Sequence, residues 1–205
     1  MLIGVPKLRR YEGALALYNR FVRTPETVRT ARLTGRRFTE TDYPYVCEID
    51  SDLRVQQGFD GMLQTEEQSQ ERLQRWIRTW EEHGFGYFLF TDDQSKIVGH
   101  GGVFPSPRVP SEVELGYVVK PSFWRKGFAT EIARAALCVG FEDLRFERII
   151  AIALASNAGS RRVMERCGMT FEADTTLFAP SVPTVRYGLS RAEWFRSSVG
   201  LPEAK

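Results

Sequence analysis

Hydrophobic positions along the chain switch between a period of two and a period near 3.6, and the switches mark the elements. In Glu112–Val119 the residues Val113, Leu115, Tyr117 and Val119 share one side, while Glu112, Glu114, Gly116 and Val118 share the other. This alternation predicts a strand with one apolar face and one face bearing carboxylates. Pro121 cannot donate to a ladder and closes it. Beyond a turn from Trp124 to Ala129, Ile132, Ala135, Ala136 and Val139 fall on the inner stripe of a helix. Upstream, Val28–Leu33 alternates and predicts the first strand, and Thr41-Asp42 offers an N-cap for a short helix through Val46 and Ile49. Residues 50–61 are polar and irregular. Thr65 and Gln68 form a capping-box signature before Leu73, Trp76, Ile77 and Trp80, and Gly84 ends that helix. Both tryptophans lie on the stripe of Leu73 and Ile77, which favours core packing over a pocket. Gly86–Phe90 and Ile97–Phe104 flank Asp92–Ser95 and predict an antiparallel hairpin, with His100 as a structural histidine.

Downstream, Arg148–Leu154 is a nearly continuous apolar run, as expected of a strand covered on both faces. Asn157–Cys167 predicts a helix with Val163, Met164 and Cys167 inward and Gly168 as its stop. Thr170–Asp174 and Thr184–Ser190 predict the last strands, and Ser190–Trp194 opens a terminal helical turn. This order implies a mixed α/β domain built in packed layers. Residues 1–27 stand apart. Basic residues from Lys7 to Arg23 interleave with Leu15, Leu17, Tyr18 and Phe21, suggesting an accessory amphipathic extension before a domain spanning 28–205. A targeting role is the alternative.

Composition narrows the class. The chain has 205 residues, a net charge of +2 and 42% hydrophobic residues, ordinary for one globular domain with an extension. That charge implies no strong pull toward nucleic acid or anionic lipid. The longest apolar runs fall well short of a membrane-spanning helix. Cys47, Cys138 and Cys167 are unpatterned, which points to reduced thiols and a cytoplasmic setting. His83 and His100 have no ligand spacing, so no metal site is expected.

The turn between the central strand and helix has a clear physical use. Backbone N–H groups feeding a helix N-terminus attract anions, and Arg125 and Lys126 add positive charge. Gly127 and Ala129 are small enough to let a phosphate approach the main chain. By itself this glycine pattern is also ordinary turn chemistry.

Residues 114–131, ELGYVVKPSFWRKGFATE, resemble the acetyl-CoA-binding strand, loop and helix of the GNAT N-acetyltransferase superfamily, specifically its RimJ/RimL-like branch. The superfamily loop reads Gln or Arg, two residues, Gly, one residue, then Gly or Ala. Here Trp124, Gly127 and Ala129 hold those places; the Trp departs from the broad pattern, and Arg125 is placed to supply the charge. A second block, Ser156–Phe171, resembles the family independently and in the correct order. The resemblance covers roughly residues 28–195. It implies a mostly antiparallel sheet splayed at the cofactor strand, with helices on both faces. It also implies acetyl-CoA as acyl donor, held by main-chain groups of Val118 and Val119, by Trp124, Arg125, Lys126, Gly127, Phe128, Ala129 and Thr130, and by Asn157 and Ser160. Residues 50–61 would form part of the acceptor wall.

Acyl transfer to an amine needs a base, a polarised carbonyl and a tolerated thiolate. A carboxylate on the central strand answers the first demand, with Glu114 the first candidate and Glu112 the second. In many superfamily members a tyrosine after the asparagine protonates the sulfur, but none lies between Asn157 and Phe171. The RimJ/RimL-like branch places a serine there, here Ser160, and a thiolate of pKa ~8.5 also leaves without full protonation. Cys138 and Cys167 fall on inward faces with no histidine nearby, which favours direct attack over a covalent acyl-enzyme. The expected acceptor is an amine: a protein N-terminus, a polyamine, an amino acid or another small amine. A homodimer is compatible with the sequence. The competing readings are a non-catalytic acyl-CoA-binding or sensing module and, less well supported, a nucleotide-binding protein.

Overall fold

The computed structural model describes residues 24–59 and 61–198. The extension read from residues 1–27 falls outside them, save its last four residues. Eight strands form one sheet in the order β1-β2-β3-β4-β5-β6-β8-β7. They are β1 Thr27–Arg29, β2 Thr34–Arg37, β3 Tyr87–Thr91, β4 Ile97–Pro105, β5 Val113–Val119, β6 Arg148–Leu154, β7 Thr170–Thr175 and β8 Thr184–Ser190. Every neighbouring pair is antiparallel except β5 and β6. The helices are α1 Tyr43–Ser51, α2 Leu53–Gln56, α3 Glu66–His83, α4 Phe128–Cys138, α5 Ala158–Arg166 and α6 Arg191–Ser198. Among the described residues no helix is long and apolar enough to cross a membrane.

Local chemistry explains most of these bounds. Thr65 accepts from the Gln68 amide while the Gln68 side chain accepts from Thr65 N–H, so α3 starts on a closed capping box. Gly84 ends α3 in the left-handed conformation at φ 75°. The segment 28–33, expected as one strand, is instead a turn between two. Thr30 N–H donates to the Leu33 carbonyl at 2.9 Å, and the Thr30 hydroxyl oxygen accepts from Leu33 N–H at 2.9 Å. A side-chain-stabilised turn of this kind interrupts an alternating run without altering its pattern. Residues 50–56, expected to be irregular, complete α1 and add the single turn α2, whose N-cap Asp52 accepts from Arg54 N–H.

The sheet separates two hydrophobic layers. On one face Phe88, Phe90, Val98, Val103, Leu115 and Val119 pack under Ile132, Ala133, Ala136 and Leu137 of α4. On the other, Leu89 packs with Phe38, Tyr45, Val46, Ile49, Val55 and Leu73, which come from β2's exit, α1, α2 and α3. Each fully buried side chain of this size contributes roughly 1.5–3 kcal/mol of transfer free energy. The face of β5 that carries carboxylates is therefore covered by protein, and Glu114 is only 4% exposed.

Candidate acyl-transfer site

The parallel ladder between β5 and β6 has one paired position, Glu114 with Ile150. Beyond it the strands separate. Lys120 N–H donates to the Val98 carbonyl at 2.9 Å, and the register pairs Val118 with His100. Backbone groups alternate along an antiparallel strand, so those of Val118 are committed to β4 and those of Tyr117 and Val119 face the gap. The Val119 carbonyl accepts from the Trp124 indole at 2.7 Å, which leaves the Val119 N–H directed into the opening. Trp124 thus fastens the loop to the strand end. Of the main-chain groups expected to be free, those of Val118 are occupied on the β4 side.

The loop after β5 presents amides in the same direction. Arg125 and Gly127 both adopt positive φ, 61° and 83°, and Gly127 is the N-cap of α4. Left-handed residues among right-handed ones turn successive N–H groups inward, and the first-turn amides of α4 have no carbonyl partner within the helix. A Cβ on Gly127 would meet nothing closer than the Arg32 guanidinium at 3.6 Å, so the space over this amide row is open. Phe128, Ala129 and Thr130 form the first turn, while Arg125 and Lys126 are exposed beside it. Arg32, from the β1–β2 turn, completes the wall. It bonds the Lys126 carbonyl at 3.0 Å, pairs with Glu131 at 2.5 Å and stacks on the Phe128 ring at 4.1 Å. These features fit a pyrophosphate, which needs convergent amides, a cationic rim and no side chain at the point of approach.

Glu114 points to the opposite face, where the connection between β4 and β5 covers it. It accepts from the Ser106 hydroxyl at 2.7 Å and from Arg108 at 3.0 Å. Burial raises its pKa above the ordinary value, opposed by the charge of Arg108 and by both hydrogen bonds. Gly116 beside it is needed for a close approach, since a Cβ there would come 2.4 Å from the Tyr87 hydroxyl. Tyr87, Trp76, Phe104 and His100 form an aromatic group on this face of the sheet, with Tyr87–Phe104 centroids 4.7 Å apart and Trp76–His100 centroids 4.7 Å apart. His100 takes a hydrogen bond at 2.7 Å between its Nδ1 and the Tyr45 hydroxyl, and burial pushes its pKa down to about 3. Glu112 lies at the start of β5 in a chain of ion pairs. Its carboxylate is 3.3 Å from Arg148, which also pairs with Glu172.

α5 brings the third group. Asn157 caps the helix by accepting from Ser160 N–H at 3.0 Å, and its amide reaches the Gly58 carbonyl at 3.3 Å. The Ser160 hydroxyl lies 2.9 Å from the hydroxyl of Tyr117, which also reaches the Ser160 carbonyl at 3.1 Å. Tyr117 hangs from β5 into the α4 side, and burial raises its pKa. In the sequence Tyr117 reads as one more core residue of an alternating strand, so nothing there signals its meeting with Ser160. Arg32, Ser106 and Arg108 were equally hidden, each lying in a turn with no motif. Cys167 is buried, and its thiol is pushed up to about 11 by that burial; Cys138 is pushed up to about 12, again chiefly by burial.

A mostly antiparallel sheet that opens at its one parallel pair, over a helix whose N-terminus is shaped for an anion, defines the class: a GNAT-like acyltransferase fold. Residues 32–170 match the family described as the acetyltransferase (GNAT) domain. The chain is 30% identical over 145 residues to the uncharacterized N-acetyltransferase YnaD of Bacillus subtilis, covering 71% of this chain and 83% of that one. It is 26% identical over 191 residues to the FsC-acetyl coenzyme A-N(2)-transacetylase of Aspergillus fumigatus, covering 85% and 80%. Among solved structures, a GNAT-family acetyltransferase from Bacillus anthracis superposes with a TM-score of 0.69 at 26% identity, over 81% of this chain and 99% of that one. The chain belongs to the GNAT acetyltransferase family and is an acetyltransferase.

Proposed function

We propose that the protein moves an acetyl group from acetyl-CoA to a primary amine by direct attack within a ternary complex, as a member of the RimJ/RimL-like branch. The observation that carries this reading is the coincidence of three features on one strand. β5 parts from β6 beyond Glu114, ends on the amide-lined loop, and bears a buried carboxylate on the face away from that loop. Bound acetyl-CoA supplies an activated thioester there. The loop amides from Arg125 to Thr130, with Arg125, Lys126 and Arg32, hold the pyrophosphate. Val119 N–H donates to the acyl oxygen, where negative charge develops as the amine attacks.

Glu114 takes the proton that the amine must lose. Its raised pKa brings it closer to the range in which a carboxylate serves as a general base, while Ser106 and Arg108 hold its orientation. As the N–C bond forms and the C–S bond breaks, the Ser160 hydroxyl, positioned by Tyr117 and Asn157, donates to the departing sulfur. Serine at this place, with no tyrosine from Asn157 to Phe171, supports the branch assignment. The raised thiols of buried Cys167 and half-buried Cys138 are poor nucleophiles near neutrality, which supports direct transfer.

Calorimetric titration of acetyl-CoA into the wild type and Gly127→Glu tests the donor site. Glutamate places a carboxylate in the amide row and forces a non-glycine residue to φ 83°, at roughly 1–2 kcal/mol. Binding to the wild type that is lost in the folded variant is the expected result. Equal binding in both would move the donor elsewhere, and no binding in either would overturn the reading.

A further inference from the structure

A groove of about 860 Å³ lies between α4 and β1, and only its end at Gly127, Thr130 and Arg32 belongs to the donor loop. One wall is the α4 face of Thr130, Glu131, Arg134, Ala135 and Cys138, spaced three and four apart. The other is Pro25 together with Thr27, Val28 and Arg29 of β1, the edge strand of the sheet. Val28, Ala135, Val139 and Trp194 give the groove an apolar lining that packs onto the core below. Two of its cationic side chains are already engaged: Arg32 pairs with Glu131 at 2.5 Å, and Arg134 donates to the Arg166 carbonyl at 2.9 Å. α4 and β1 run in opposite directions along it. Arg32, after β1, meets Glu131 in the first turn of α4, whereas the start of the described chain lies at the far end. There the Thr24 hydroxyl donates to the Gly84 carbonyl, and the adjacent Phe85 packs on Phe146, just beyond the turn Val139–Asp143 that continues α4. The chain preceding Thr24 therefore joins the domain at the Val139 end of the groove.

The sequence of that preceding segment has the pattern to fill the space. Leu8, Tyr11, Leu15, Tyr18 and Val22 recur three and four apart, while Arg9, Arg20 and Arg23 fall on the opposite side of a helix. This is the period of a helix and not of a strand, which argues against pairing with the open edge of β1. As a helix, residues 8–22 span about 22 Å, matching the about 24 Å of helix from Gly127 to Asp143 at the two ends of the groove. Thr24-Pro25 would stop such a helix, and residues 23–26 suffice for the reversal into β1. We propose that residues 8–22 dock in this groove on their own domain, as an amphipathic helix parallel to α4. Leu15, Tyr18 and Val22 then cover Ala135, Cys138 and Trp194, and the arginine side faces solvent, away from the cations of the rim.

The test reads Cys138, which lines the groove and is half-buried, in the full-length chain without acetyl-CoA. Alkylation by N-ethylmaleimide at one fixed pH is located by peptide mass spectrometry. Cys138 of the wild type is expected to react at least about tenfold more slowly than in Leu15→Asp/Tyr18→Asp, the protection that ~1.4 kcal/mol of docking provides. Equal rates in the two folded proteins would overturn the proposal. A second measurement needs no disruptive variant. In a Cys47→Ser background, mild oxidation should join Tyr18→Cys to Cys138 within one chain, since a disulfide requires Cα atoms within about 7 Å, and should leave Arg20→Cys unjoined. Failure of Tyr18→Cys to join, or equal joining of both positions, would overturn the proposal. So would a disulfide between two chains, which would make a second copy the occupant. Neither readout involves the donor, so both stand apart from the acetyltransferase reading.

Discussion

Replacing Glu114 by glutamine tests the chemistry most directly, because it removes the charge and keeps the shape. The carboxylate is 4% exposed and takes two hydrogen bonds, from Ser106 at 2.7 Å and Arg108 at 3.0 Å. The amide oxygen keeps one of them, and the NH₂ then faces the other donor, a mismatch costing about 1–3 kcal/mol. Burial opposes this loss. A carboxylate whose native pKa is raised binds its proton more tightly in the fold than in the unfolded chain. Its contribution to stability is present below the unfolded value and is lost as pH rises through the folded value. At neutral pH the wild type bears that cost and the glutamine variant does not, so the melting temperature changes little. Activity responds very differently. A general base contributes roughly 10²–10⁴-fold, or about 3–5 kcal/mol of barrier. We expect E114Q to lower kcat by at least about a hundredfold with acetyl-CoA affinity retained. The acid limb of the wild-type pH profile, set above the usual carboxylate range, should vanish with it. E112Q, which disturbs the ion pair with Arg148, should stay within about threefold of the wild type. An E114Q enzyme with a third or more of wild-type kcat, or with an intact acid limb, would refute the assignment.

Other outcomes follow from the same geometry. Tyr117→Phe removes the contacts to Ser160 at 2.9 and 3.1 Å, so kcat should fall several-fold for a loss of about 0.5–1.5 kcal/mol in stability. Steady-state kinetics beside thermal melting separates the two effects, and an unchanged kcat would leave Ser160 without its positioning partner. His100 is neutral in the fold with a pKa of about 3, whereas in the unfolded chain it titrates near 6.5. The native state therefore binds fewer protons in that window, and stability is lost as pH falls from about 6.5 toward about 3, by up to a few kcal/mol. Melting temperatures of His100→Gln across this range should show a flatter acid slope than the wild type; an equal slope would locate acid sensitivity elsewhere.

Much of the chain's local structure could be read from residues alone. The capping box at Thr65, the stop at Gly84, the alternating strand ending before Pro121 and the helix launched from Gly127 are short-range events, each settled within a few residues. The loop chemistry was legible for the same reason, because helix N-termini and glycine turns carry their electrostatics with them. What periodicity conveys is which side chains share a face; it does not say what covers that face. Hence the alternation of β5 marks a face bearing carboxylates, while the fold brings Ser106 and Arg108 over Glu114 and makes it a buried, perturbed carboxylate. Hence also Tyr117, indistinguishable in sequence from its apolar neighbours, meets Ser160 across 43 residues, and Arg32 reaches Glu131 across 99. The opening between β5 and β6 depends on strands from distant parts of the chain, since it is a failure of two ladders to stay in register. Local sequence dictates the parts of the site, and only the packing of remote elements decides their charge state, their partners and the gap that lets a substrate in.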